Sequence, residues 1–225
     1  MRAGQYLTNP AARERSWAAF LISVPGAANG RAIPELLRAP CRALCQPPDA
    51  PTGHRLSRFL HALPAGARIL ELGCGNGMDA ARMLQLGFDT DATDGTPEMV
   101  AEARKRIDHR ARLLRFEDID AEAAYDGVWA SASLLHVPAQ DLPDILGRIH
   151  RALRPGGLFV ASYKASHGEG RDHLGRYYNY PTIDGLERAY RVAGWIDPHL
   201  EAVMGSGFDA LPTQWLWVTG RRPPA

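Results

Sequence analysis

Ile69-Leu70-Glu71-Leu72-Gly73-Cys74-Gly75-Asn76-Gly77-Met78-Asp79 decides how the rest of the chain is read. Ile69, Leu70 and Leu72 suffice for a buried strand. The chain then turns through glycines at i, i+2 and i+4 and enters a helical pattern of Ala80, Ala81, Met83, Leu84 and Leu86, closed at Gly87. The unit is strand, tight loop, helix. Glycine at 73, 75 and 77 lets the backbone take positive φ, or lets a flat ligand approach where a Cβ would clash. A dinucleotide fingerprint needs G-x-G-x-x-G, and Met78 stands where its third glycine belongs, which argues against a nicotinamide site.

Outward from this loop, Gly87 to Asp94 reads as a second strand. In open α/β sheets the ligand crevice lies outside the carboxyl ends of the strands, so Asp94 faces it. A carboxylate there accepts two hydrogen bonds from the vicinal hydroxyls of a ribose. It reads equally as a cap for the next helix, although Thr96-Pro97-Glu98 is the better N-cap with proline at the first helical position. A helix from Glu98 to Ile107, a short third strand from Leu113 to Phe116, and the acidic run Glu117-Asp118-Ile119 follow. Tyr125 to Ser131 is the fourth strand, left through Ser133-Leu134-Leu135-His136-Val137-Pro138. His136 is either a general base titrating near neutrality or a packed loop residue.

A helix from Asp141 to Leu153 ends at Arg154-Pro155-Gly156-Gly157, and Leu158 to Tyr163 is the fifth strand. Lys164 to Pro181 is too polar for a core element and too aromatic for a linker. It reads either as a mobile lid whose Tyr177, Tyr178 and Tyr180 line a site, or as a surface loop with its tyrosines packed on the sheet edge. Ile183 to Ala193 is a helix, and strands near Leu200 to Met204 and Thr213 to Thr219 make a closing hairpin with Trp215 and Trp217 in the core.

G-x-G-x-G preceded by Glu71 resembles motif I of the class I S-adenosylmethionine (SAM) dependent methyltransferases, and Arg151-Ala152-Leu153-Arg154-Pro155-Gly156-Gly157-Leu158-Phe159-Val160 resembles that family's turn before strand five. Residues 164–181 resemble a bacterial subgroup near the tellurite-resistance-type small-molecule methyltransferases. The resemblance, over roughly residues 55–220, implies a Rossmann-like doubly wound α/β fold: a seven-stranded, mostly parallel sheet with an antiparallel C-terminal strand. Residues 51–225 would form that domain, with residues 1–50 as a short helical cap or arm. It implies SAM as cofactor. Glu71 would help hold its methionine end, Gly73, Cys74, Gly75, Gly77 and Ser133 would bind the cofactor as well, Asp94 would bind the ribose with Gly95 and Met99 bordering the adenine, and Asp118 and Ile119 would meet the adenine amino group and a ring nitrogen. His136, Tyr178 and Tyr180 are the catalytic candidates. The implied reaction is methyl transfer to a small molecule, with a non-catalytic SAM-binding module as the alternative.

Composition narrows the class further. The 225 residues are 45% hydrophobic and 23% charged, an ordinary globular balance. A net charge of +1, from 26 basic and 25 acidic residues, gives no global field for nucleic acid or membrane. No Asn/Asp-Pro-Pro-aromatic motif follows the fourth strand, which argues against an amino-methylating DNA enzyme. Cys41, Cys45 and Cys74 suggest neither a disulfide framework nor a metal site. Without a signal peptide or an apolar run of membrane length, the expectation is a cytoplasmic monomer or homodimer.

Overall fold

The computed structural model describes residues 51–166, 168–172, 175–207 and 211–224. The expected helical arm over residues 1–50, with Cys41 and Cys45, lies outside them. Helix α1 (Pro51–His61) precedes β1 (Arg68–Leu72), α2 (Met78–Gln85), β2 (Asp89–Asp94), α3 (Pro97–Ile107), β3 (Ala111–Leu113), β4 (Tyr125–Ala130), α4 (Leu142–Ala152) and β5 (Leu153–Lys164). After a ribbon of β6 (Glu169–Arg171) and β7 (Tyr177–Asn179), α5 (Ile183–Val192), β8 (His199–Ser206) and β9 (Pro212–Arg221) complete the order.

The main sheet runs β3-β2-β1-β4-β5-β9-β8. Pairings from β3 to β5 are parallel, while β9 is antiparallel to both β5 and β8. This is the expected seven-stranded sheet. Helical crossovers cover both faces, so β1 and β4 read as near-continuous apolar runs. On one face Leu70, Leu72, Val128, Phe159 and Ala161 pack under α4 and α5. On the other, Ile69, Trp129, Val160 and Trp217 pack against Leu56, Phe59 and Leu60 of α1. Arg55 fixes α1 to the distal hairpin through an ion pair with Glu201 and a guanidinium 5.1 Å from the Trp217 ring centroid. His54 and His61 are exposed; of the two tryptophans expected in the core, Trp217 is buried and Trp215 half-buried.

Three boundaries differ from the sequence reading. The third strand is Ala111–Leu113, because buried Ala111 pairs with Ala92 and Arg112 makes two hydrogen bonds to Asp91 at 2.8 Å. Phe116–Asp118 is a 3₁₀ turn instead. The fifth strand begins at Leu153, its register with β4 slipping between the Tyr125 and Gly127 partners across Pro155-Gly156-Gly157. The polar stretch after β5 is a paired ribbon rather than an open loop. Ala139 N–H donates to Glu169 Oε1 at 2.6 Å, the Tyr177 hydroxyl donates to the same carboxylate, and the Arg176 side chain reaches Asp172 at 2.8 Å.

Candidate active site

The glycine loop leaves β1 in left-handed conformation at all three glycines, with φ of 75° at Gly73, 53° at Gly75 and 76° at Gly77. Gly73 and Cys74 donate their N–H groups to the Thr93 carbonyl at 2.9 and 2.8 Å, tying the loop to β2. The three glycines do different work. A Cβ on Gly73 would stand 2.4 Å from the Ser133 Cβ, and one on Gly77 would press on Ala103 at 3.3 Å. A Cβ on Gly75 would meet nothing within 4 Å, so this glycine faces open space at the end of the sheet.

Of the two roles open in the sequence, the structure shows Asp94 in the local one, tying the glycine loop to the turn into α3. Its Oδ2 accepts from Gly75 N–H at 3.0 Å, and its Oδ1 accepts from Thr96 N–H at 3.0 Å and the Thr96 hydroxyl at 2.8 Å. Thr96 occupies the N-cap position of α3 but makes no side-chain cap bond. Its hydroxyl donates to the Asp94 carboxylate. Gly95 and Met99 are half-buried beside it; Ile119 is buried and Asp118 exposed on the 3₁₀ turn. The Ile119 N–H donates to the Phe116 carbonyl at a long 3.4 Å and is only loosely engaged there.

Three carboxylates crowd this loop. Glu71 is 3% exposed, and burial, then Asp79 and Asp94, push its carboxyl well above the ordinary range. Burial also raises Asp79, opposed by a hydrogen bond from Trp129 Nε1 at 2.8 Å, and raises Asp94, opposed by its bonds from Thr96 and Gly75. Cys74, buried beside Glu71 and Asp94, has its thiol pushed up and is not a nucleophile at neutral pH. An acid whose folded pKa lies above its unfolded value binds more protons folded than unfolded, so stability is lost as pH rises through that window. Glu71→Gln is therefore expected to raise Tm relative to wild type more at pH 7.5 than at pH 5, measured by thermal unfolding of the free protein.

Among the described residues, four buried side-chain polar atoms have no hydrogen-bond partner: Glu71 Oε2, Asn76 Nδ2, Ser133 Oγ and His150 Nε2. The first three belong to the glycine loop, its strand and the β4 exit that packs on Gly73. Buried polar atoms ordinarily find partners, so these three can meet a polar ligand or water. Asn76 was missed in the sequence, where x positions of a G-x-G-x-G loop carry no signal. Asp79 was missed as well, because its partner Trp129 lies fifty positions away.

The β4 exit carries strain. Ala132 has φ of 52°, and its N–H donates to Ser162 Oγ of β5 at 2.8 Å. A left-handed alanine costs about 1–2 kcal/mol, and such strain gathers at functional sites. Ala132→Gly is expected to stabilise the fold by up to about 1 kcal/mol after allowing for the freer unfolded chain, read from denaturant unfolding; a loss of stability would contradict the strain.

Beyond Ala132, His136 ends a 3₁₀ turn and donates Nδ1–H to the Tyr177 carbonyl at 2.7 Å, since a carbonyl only accepts. Burial, Arg176 and Lys164 hold its pKa below the usual imidazole value, so it is neutral with the Nε2 lone pair intact. Its ring lies 4.7 Å from that of Tyr178, which stacks on Tyr180 at 5.4 Å. Tyr178 is buried, and Tyr180 half-buried. The structure thus brings together two clusters at the carboxyl ends of adjacent strands: the loop with Asp94 and Ser133, and His136 with the two tyrosines.

A family model described as a methyltransferase domain matches residues 69–157, from the start of motif I through the turn within β5. A ubiquinone biosynthesis O-methyltransferase of Xanthomonas axonopodis pv. citri (strain 306) is 38% identical over 109 residues. That match spans 44% of this chain and 44% of the relative, so the chain matches less than half the length of that curated protein. A crystal structure of Burkholderia thailandensis 1,6-didemethyltoxoflavin-N1-methyltransferase, with bound 1,6-didemethyltoxoflavin and S-adenosylhomocysteine, is 28% identical. It superposes with a TM-score of 0.63 over 78% of this chain and 80% of that one. A SAM-dependent methyltransferase structure from Methanosarcina mazei gives a TM-score of 0.68 at 13% identity, over 75% of this chain and 98% of that one, and supports the fold alone. The chain therefore has the class I SAM-dependent methyltransferase fold.

Proposed function

We propose that the protein transfers the methyl group of SAM to a small-molecule acceptor. Three unpartnered buried polar atoms, Glu71 Oε2, Asn76 Nδ2 and Ser133 Oγ, on the strand, the glycine loop open at Gly75 and the β4 exit against Gly73, carry this reading. The donor supplies a methyl carbon activated by a positively charged sulfur. Every other task falls to the chain. Glu71, Ser133 and Asn76 offer the methionine end an acceptor, a hydroxyl and a donor; Asp94 offers carboxylate oxygens to the ribose; Gly75 permits close approach. Among the described residues none of Glu71, Asp79 and Asp94 pairs with a cation, and this negative field suits a ligand carrying an ammonium and a sulfonium. Asp118 and the Ile119 amide are proposed to border the adenine.

Because the donor is already activated, alignment carries most of the catalysis, and positioning supplies about 7–11 kcal/mol when geometry is near attack. A small-molecule acceptor is favoured by the relatives, which act in ubiquinone biosynthesis and on 1,6-didemethyltoxoflavin. The tellurite-type likeness of residues 164–181 rests on the sequence alone, and we hold it as the second acceptor reading. No described helix is long and apolar enough to cross a membrane; the cytoplasm, a monomer or homodimer, and no nucleic-acid partner complete the proposal. Purified protein incubated with SAM and phenols, thiols, amines and chalcogen oxyanions is expected to form S-adenosylhomocysteine with at least one class. Tight SAM binding without turnover on any class would favour the non-catalytic module.

A further inference from the structure

The strained exit from β4 is held from β5. The last backbone pair between these two strands is Ala130 with Ala161, and beyond it Ala132 N–H takes a side-chain acceptor, Ser162 Oγ at 2.8 Å. Ser162 is 1% exposed. Ala132 sits at φ 52°, a left-handed conformation that an alanine leaves unless its surroundings hold it there. The seryl oxygen is that hold. The next residue is Ser133, which is buried, with Oγ unpartnered and with its Cβ so near the glycine loop that a Cβ on Gly73 would stand 2.4 Å from it. On the far side of Ser133, its carbonyl accepts from His136 N–H at 3.1 Å, and Leu134 and Leu135 are packed in the core. The turn after Ser133 is thus anchored, and the left-handed residue before it sets where Oγ points.

Resting on the SAM reading of the site, we infer that Ser162 is a positioning residue whose hydroxyl keeps Ala132 left-handed and thereby presents Ser133 Oγ to the methionine end of the cofactor. Without that acceptor Ala132 relaxes toward negative φ, where an L side chain meets no clash, and the peptide joining it to Ser133 turns with it. The rotation draws Ser133 Oγ away from the ligand. In Ala132→Gly the backbone takes positive φ about as readily as negative, so there is no strain for the hydroxyl to offset. Ser162 thus acts through Ala132 and Ser133 and touches no ligand itself. A hydroxyl that served only the core would behave differently: its loss would cost the same whatever residue stood at 132, and would weaken every ligand of the site alike.

Calorimetric titration with S-adenosylhomocysteine and with 5′-methylthioadenosine, which lacks the amino-acid end, reads the two ends of the site separately. Ser162→Ala is expected to weaken S-adenosylhomocysteine about three- to tenfold, the size of one hydrogen bond, and 5′-methylthioadenosine by less than about twofold. In an Ala132→Gly background the same substitution weakens S-adenosylhomocysteine by less than about twofold, because residues that act as one unit are not additive. Should Ser162→Ala fail to fold, Ser162→Cys keeps the side-chain shape with a weaker acceptor and is held to the same outcomes. Unchanged S-adenosylhomocysteine affinity, equal weakening of both ligands, or an undiminished loss in the Ala132→Gly background overturns the positioning role and leaves the cofactor site standing. Failure of the wild-type protein to bind S-adenosylhomocysteine overturns the reading of the site, and the positioning role with it.

Discussion

Asp94→Ala is expected to weaken SAM binding by about a hundredfold, with the protein still folded. Two hydrogen bonds from ribose hydroxyls to a buried carboxylate, at about 1.5–3 kcal/mol each when charge-assisted, amount to about 3 kcal/mol or more. That corresponds to about two decades in Kd. The substitution also releases the Gly75 amide and Thr96 from Asp94. A stability cost of about 1–2 kcal/mol accompanies those losses. The two effects separate in Asp94→Asn, whose single carbonyl oxygen can keep the Thr96 bonds while its amide nitrogen cannot accept from Gly75 and the charge is lost, so its Tm recovers in part and more than its affinity. Wild-type affinity in folded Asp94→Ala would remove Asp94 from the ribose and leave it as a local cap.

The second large effect distinguishes two glycines of the same motif. Gly75→Ala strains a φ of 53°, costing about 1–2 kcal/mol. Its new methyl group meets no protein atom within 4 Å and projects into the space assigned to the ligand. A folded protein with SAM affinity lowered at least about tenfold is expected, since one buried overlap exceeds about 1.4 kcal/mol. Gly73→Ala behaves oppositely: its Cβ would lie 2.4 Å from the Ser133 Cβ, so loss of Tm dominates. Thermal unfolding and calorimetric titration of both variants decide this. Equal Tm losses with unchanged affinity in Gly75→Ala would show that the open side of the loop is not the ligand side.

Much of this was legible along the chain because it is local. The strand-loop-helix at residue 69, the proline and glycine turn at 155–157 within β5, and the acid closing β2 are set by neighbours within a few positions, where periodicity and turn chemistry act. The strand order followed from alternating strands and helices with short connections. What escaped depends on distant partners. The β3 position was decided by the Arg112–Asp91 pair across the sheet, the Asp79 environment by Trp129, and the left-handed Ala132 by Ser162, thirty positions on. The ribbon of residues 169–179 was hidden for a related reason. Its pairing is short and polar, without the alternation that announces a half-buried strand, and it is held by Glu169, Asp172 and the His136 loop rather than by an apolar face.

The most direct measurement is calorimetric titration of the purified protein with SAM, S-adenosylhomocysteine and NADH in parallel. The site described above predicts binding of the first two with one ligand per chain and no heat from NADH. It also predicts a pH-dependent proton release on SAM binding, as a cationic ligand lowers the raised carboxyls of Glu71 and its neighbours. Absence of binding by both nucleosides, or binding of NADH in their place, would contradict the assignment of the glycine loop and the function built on it.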